Sequence, residues 1–354
     1  MKAPTKIRVG VNGYGVIGKR VAAATRLQDD MELIGVADIG ADWRLRMATH
    51  LGIALFAATP EHAALMNDAG LAIEGDLAKL VASVDVMVDC TPKGVGAANA
   101  EIYRKAGRAF IVQGGEKHNV TDHSFVAESS YATAFRRSST RVVSCNTTSI
   151  VRTLSALKKA GLLVKARGTL LRRATDPWES DHSGIMNTLV PEPKIPSHQG
   201  PDAKSVDPDL DVVTMAVKVP ETIGHLHYWS VQMTRAASKD EVIEAFAASS
   251  RIALIRTADG LGALNSVKEM MNDLGRPHGN LYEVGLWTDM LRVEGDELFY
   301  AYMVDNQAIV IPETIDAIRA LVGSLDSADA SIATTNASLG IGDVGTIMSQ
   351  NSVR

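Results

Sequence analysis

Of two thiols in a chain of 354 residues, Cys145 keeps the company best suited to chemistry. It lies in VVSCNTTS (142–149), where a β-branched pair gives way to Ser144, Cys145, Asn146, Thr147 and Thr148 ahead of a helical run over 149–163. Hydroxyls and a side-chain amide suit a helix start, and the positive end of the helix dipole favours a thiolate there. A thiolate attacks carbonyl carbon, and the exposed N–H groups beside it would hold the resulting oxyanion. Such a cysteine needs a basic partner. GHLHYW (224–229) offers His225 and His227, whose alternate spacing puts both on one face of a strand. Two cysteines make no disulfide framework, and neither has zinc-type Cys/His spacing around it, so a functional cysteine here acts as a free thiol and no metal site is expected.

A second set of residues suits a dinucleotide. In GYGVIG (13–18), Gly13 permits a tight turn, Gly15 lets backbone approach a pyrophosphate and Gly18 lets a helix pack on a strand. The following helix start adds N–H groups and a positive dipole. Asp38 stands 20 residues beyond Gly18, at about the spacing of an acid that accepts hydrogen bonds from the ribose 2′-OH and repels a 2′-phosphate. That favours NAD, whereas Arg44 or Arg46 folding over a 2′-phosphate would admit NADP. DCTPKGVG (89–96) and QGGEK (113–117) bring Thr91, Pro92, Gly114 and Gly115 to the ends of two apolar runs, where open α/β sheets bind ligands, here beside the nicotinamide half. Cys90 reads as a small buried apolar residue.

Two scaffolds must carry these residues. Up to about residue 150, runs apolar on both faces alternate with helical stretches: IRVGVN (7–12), ELIGVAD (32–38), VDVMVD (84–89), AFIVQG (109–114) and RVVSC (141–145). That texture predicts a Rossmann-type parallel sheet of the α/β class. Beyond it, TLLRRAT (169–175), DVVTMAVKVP (211–220), HLHYWSVQM (225–233) and LRVEGDELFYAYMV (291–304) predict an α+β domain with a mostly antiparallel sheet, the last run holding a hairpin turn at Glu-Gly-Asp. The expected division is 1–144, joined by a C-terminal helical segment of about 308–354, against 145–307. The stretch 176–209 reads as a long functional loop.

Composition narrows the partners. With 46% hydrophobic residues, a net charge of −5 and no block of like charges, nothing points to nucleic acid or a membrane surface; a small molecule and the cytoplasm are expected. No apolar stretch approaches a membrane span.

Over nearly its whole length the chain resembles the archaeal-type glyceraldehyde-3-phosphate dehydrogenases, in NGYGVIGKRV (12–21), QGGEK, SCNTT (144–148), RRATDP (172–177), IPSHQGPD (195–202), TMAVKVPETIGHLH (214–227), RPHGNLYEV (276–284) and IPETIDAIRA (311–320). The resemblance implies Cys145 as nucleophile and His225, the first of the two histidines, as its base. It implies a substrate site lined by 144–146 with Gln199 and Gly200, phosphate binding by Arg172 and Arg173, and cofactor contacts from Val16, Ile17, Gly114 and Gln307. It further implies oxidation of a phosphorylated aldehyde through a thiohemiacetal and thioester, inorganic phosphate as second substrate, and a homotetramer. Two positions depart from the family pattern: Asp38, where a non-acidic residue is frequent, and Gln199, where histidine is common. Two other readings use the same parts, a related semialdehyde or acyl-phosphate dehydrogenase and a non-catalytic NAD-binding thiol sensor.

Overall fold

The computed structural model describes residues 6–342 together with Val344 and Ile347. The described residues divide into two compact units, one drawn from 1–144 and 311–339, the other from 145–310 and 340–354.

In the first unit β1 (Ile7–Asn12), β2 (Met31–Asp38), β3 (Leu55–Ala57), β4 (Gly75–Asp76), β5 (Val86–Asp89), β6 (Ala109–Val112), β7 (Ser124–Phe125) and β8 (Ser139–Val142) form one sheet. Their order is β4-β3-β2-β1-β5-β6-β8-β7, and every pairing is parallel. Val9, Val11, Val36, Val86, Val88 and Ile111 are fully buried on both faces, which is why the central strands read as continuous apolar runs. Strand order reverses between β1 and β5, the switch point where such sheets bind ligands. The sequence placed the last strand at 141–145, but it runs Ser139–Val142 and Cys145 opens a helix. Its polar start is sustained by partners invisible in the sequence: Thr140 Oγ1 meets His123 Nδ1 at 2.7 Å and Arg141 Nη1 donates to the Glu116 carbonyl at 3.1 Å.

Two helices, Val310–Val322 and Ala328–Leu339, complete this unit. The fully buried Arg319 ties them to the turn before β2 through Asp30 and Gln28, and to each other through Thr335. A single returning segment of about 308–354 is therefore corrected: beyond Leu339 the chain turns to the second unit, where the Gly340 carbonyl accepts from Arg276 and the Gly342 N–H donates to Glu283. Arg276 and Glu283 form an almost sealed ion pair at 2.6 Å, whose spare donor and acceptor capacity captures that turn. Most of the tail 343–354 lies outside the described residues.

The second unit holds β9 (Leu163–Arg173), β10 (Val190–Pro191), β11 (Val212–Val219), β12 (His225–Met233), β13 (Ile252–Ile255), β14 (Val284–Trp287), β15 (Arg292–Glu294) and β16 (Glu297–Val304). The order is β10-β11-β9-β12-β16-β14-β13, with β15 on β16; only β11–β9 and β14–β13 are parallel. The expected hairpin joins β15 to β16, Glu294 pairing with Glu297 across Gly295 (φ +62°) and Asp296. The helix Cys145–Lys159 packs against β9, β14 and β16, and every residue from Asn146 to Leu157 is buried. The long loop is partly ordered into β10 and a short helix, Gln199–Lys204. Among the described residues no helix is long and apolar enough to cross a membrane.

Candidate active site

In the first unit the fingerprint loop has the shape a dinucleotide requires. Gly13 has φ +91°, and a Cβ there would meet the Cys90 carbonyl carbon and oxygen at 2.9 Å. A Cβ on Gly18 would fall 1.8 Å from the Gly13 oxygen, whereas one on Gly15 would meet nothing within 4 Å. Two glycines are thus forced by close packing, and the third leaves open space where a pyrophosphate needs backbone access. Val16 and Ile17 begin the helix Val16–Arg26, whose N-cap is Gly15. The residues fit a nicotinamide dinucleotide.

Asp38 is 8% exposed and already accepts three backbone N–H groups: Oδ2 from Tyr14 at 2.6 Å, Oδ1 from Ile39 and Gly40 at 2.8 Å each. The carboxylate therefore ties the fingerprint loop to the end of β2. Arg44 is spent on Asp42, with its Nη2 at 2.7 Å, and Arg46 donates to the Ala69 carbonyl. Thr91 donates its hydroxyl to Asp89, a buried carboxylate that also accepts from Tyr103 and Asn99. Pro92 follows in that turn. Gly114 is a close-approach position, since a Cβ would lie 2.3 Å from the Ser144 nitrogen. Cys90 packs beneath the loop, and burial raises its thiol well above the ordinary range.

The second unit brings the other set together. Cys145 Sγ lies 3.3 Å from His225 Nε2. β12 runs antiparallel to β9 with Leu226 opposite Leu171, so the Arg173 N–H reaches His225 Nδ1 at 3.0 Å. Only a ring nitrogen without a proton accepts such a bond, so a neutral His225 carries its proton on Nε2 and presents N–H to the sulfur. Burial, then His227, Arg173 and Arg172, hold its pKa well below the usual histidine value.

A thiolate was expected at the helix start, and here the site differs. Burial pushes the Cys145 thiol up to about 11, against the downward pull of Arg173, the Asn146 N–H and Arg172. Desolvation favours the uncharged thiol and here opposes the helix end and two cations, although Cys145 itself is partly exposed. Both shifts favour the uncharged forms, thiol and imidazole. Cys145 is itself the first helical residue, and the polar run after it is helical because its side chains are satisfied sideways, as where Thr147 Oγ1 donates to Asp202 Oδ2 at 2.8 Å.

Arg172 and Arg173 end β9. Arg172 Nη1 pairs with Glu192 at 2.9 Å and Arg173 Nη2 with Asp176 at 3.1 Å, yet the Nε of each is buried without a partner. Gln199 is wholly buried and neither polar atom of its amide has a partner. Its helix packs on that of Cys145, with Gly200 N–H donating to Thr214 Oγ1. Gln307 Nε2 donates to Asp176 at 2.9 Å, on the oxygen that Arg173 uses. Asp176 gathering Arg173, Asn306 and Gln307 had no signal in the sequence. His227 does not face the sulfur; its Nε2 lies 2.8 Å from Asn146 Oδ1.

A dinucleotide-shaped loop and a thiol–imidazole pair in one chain fit the class of nicotinamide-dependent oxidoreductases. Residues 144–272 match the glyceraldehyde 3-phosphate dehydrogenase C-terminal domain, and residues 7–115 match the dihydrodipicolinate reductase N-terminus. The chain is 43% identical to glyceraldehyde-3-phosphate dehydrogenase of Pyrococcus abyssi over 336 residues, covering 95% of this chain and 99% of that one. It is 44% identical over 341 residues to the enzyme of that name from Archaeoglobus fulgidus, covering 96% and 99%. The chain belongs to the glyceraldehyde-3-phosphate dehydrogenase family.

Proposed function

We propose that this protein is a phosphorylating glyceraldehyde-3-phosphate dehydrogenase, and that Cys145 is its nucleophile. The observation that carries the site assignment is the 3.3 Å approach of Sγ to His225 Nε2 beside two arginines with unused buried donors. After loss of the thiol proton to solvent, sulfur adds to the aldehyde carbon and the carbonyl oxygen becomes a thiohemiacetal alkoxide. The His225 Nε2–H and the helix-start N–H groups hold that oxygen. A bound dinucleotide would supply the hydride acceptor, and loss of hydride from the alkoxide carbon would leave a thioester on Cys145. Inorganic phosphate then attacks the acyl carbon, and sulfur departs as a thiolate facing Nε2–H. In the tautomer set by Arg173, His225 acts first as a donor; the base role expected from the sequence requires its proton on Nδ1, opposite the Arg173 N–H. Arg172 and Arg173 suit the phosphate groups because guanidinium binds oxyanions in a bidentate way.

NAD is the preferred cofactor in this reading. An acid fixed by three N–H donors at the end of β2 opposes a 2′-phosphate, and the nearby Arg44 is engaged by Asp42. Homotetramer formation is supported by the family resemblance and by an exposed row on the second sheet, where Met215 and Tyr228 both flank Thr169. The test is reduction of NAD and, separately, NADP by glyceraldehyde 3-phosphate with and without inorganic phosphate. Phosphate-dependent NADH formation is expected; NADPH alone would refute the role of Asp38, and neither product would refute the activity.

A further inference from the structure

His227 is fully buried one step along β12 from the catalytic pair, where a bland reading makes it a packed core residue. Its two nitrogens are both engaged: Nε2 lies 2.8 Å from Asn146 Oδ1 and Nδ1 lies 2.9 Å from the Tyr302 hydroxyl, which the register sets directly opposite on β16. The far end of the Asn146 carboxamide, Nδ2, points to Cys145 Sγ at 3.8 Å. Burial drives the imidazole's pKa down to about 3 and raises that of Tyr302 well above its usual value. The ring is therefore neutral with one N–H, and the phenol keeps its proton.

A single N–H leaves two arrangements. With the proton on Nε2, the carboxamide oxygen accepts from His227, Tyr302 donates to Nδ1, and the amide N–H₂ must face the sulfur. With the proton on Nδ1, Asn146 has to turn its nitrogen toward His227, and its carbonyl oxygen then faces the sulfur. The first arrangement aims a donor at developing negative charge and the second aims an acceptor. We propose that His227 is a positioning residue which, together with Tyr302, fixes the flip of Asn146 so that its amide donates to the Cys145 sulfur and to the oxyanion formed there. The inference rests on Cys145 being the nucleophile.

The experiment compares His227→Leu, His227→Gln, Asn146→Leu and the His227→Leu/Asn146→Leu double variant in the full chain. Two readouts are taken: the rate of iodoacetamide alkylation of Cys145 at one fixed pH without substrate, and steady-state kcat and KM. His227→Leu is expected to slow alkylation and kcat roughly ten- to hundredfold, below the loss typical of a direct oxyanion donor, with KM little changed. His227→Gln, which keeps an N–H near the Nε2 position, is expected to recover most of it. The double variant should be no slower than Asn146→Leu alone, because one residue acts through the other. Should His227→Leu fail to fold, Tyr302→Phe asks the same question, and a severalfold slowing is expected as the tautomer is released. Wild-type alkylation in His227→Leu or Tyr302→Phe, or losses that multiply in the double variant, would overturn the proposal. Turnover surviving in Cys145→Ser would instead remove the nucleophile reading, while the alkylation rates would still report on the carboxamide.

Discussion

Arg319 and the pair Arg172/Arg173 show two ways of keeping a guanidinium inside a protein. Arg319 is wholly buried and each of its nitrogens is used: Nε and Nη2 donate to the two Asp30 oxygens at 2.8 Å, Nη2 also to Gln28, and Nη1 to Thr335 at 2.6 Å. Arg172 and Arg173 each have one acidic partner and a buried Nε left over. A buried donor without a partner costs free energy, so a fold tolerates it where something else supplies the acceptor. Saturation marks the structural arginine. Unused donors, on adjacent residues beside a cysteine and a histidine, are what the proposed phosphate-binding pair has to offer an oxyanion.

The contrast predicts opposite failures. Arg319→Ala should cost roughly 2–4 kcal/mol of stability in urea unfolding, below the cost of breaking a sealed pair because Asp30 is partly exposed, while KM for both substrates stays near wild type. An unchanged unfolding midpoint would break the comparison. Arg173→Gln and Arg172→Gln should instead leave folding nearly intact and lower kcat/KM for glyceraldehyde 3-phosphate about ten- to hundredfold, equivalent to about 1.4–2.7 kcal/mol. Unphosphorylated glyceraldehyde, lacking the oxyanion, should lose much less; equal losses for both aldehydes would make these arginines structural after all. The smallest effect concerns the thiol. With its pKa near 11, alkylation of Cys145 should climb as pH rises toward that value, the reactive thiolate being the deprotonated form. Both arginines pull that pKa down, so Arg173→Gln should move the midpoint upward, by roughly half a unit to one unit. A downward shift would show that Arg173 does not face the sulfur.

What the sequence made legible follows from range. The fingerprint glycines declare themselves because their constraint is local: Gly18 lies against Gly13 five residues away. His225 and His227 share a strand face by period alone, and the hairpin at Gly295 is a contiguous signal. Register and burial are not local. Nothing in GHLHYW distinguishes a histidine aimed at sulfur from one that holds Asn146, because that depends on Arg173 and Tyr302 meeting β12 from two other strands. Asp38 lies at the end of β2; the N–H groups of Ile39 and Gly40 reach it from its own turn, and only the one from Tyr14 is set by tertiary packing. For Cys145 the helix start is visible in SCNTT, whereas the burial that pushes its thiol up is not.

The central claim is that aldehyde oxidation passes through a thioester on Cys145. The most direct test mixes protein, NAD and glyceraldehyde 3-phosphate with phosphate withheld, quenches in acid, and locates the adduct by mass spectrometry of the peptides. A rapid, stoichiometric burst of NADH with a glyceroyl phosphate mass on the Cys145 peptide, lost on adding inorganic phosphate and missing in Cys145→Ser, is the predicted result. Full NADH formation with no adduct on Cys145, or the same burst from Cys145→Ser, would contradict it.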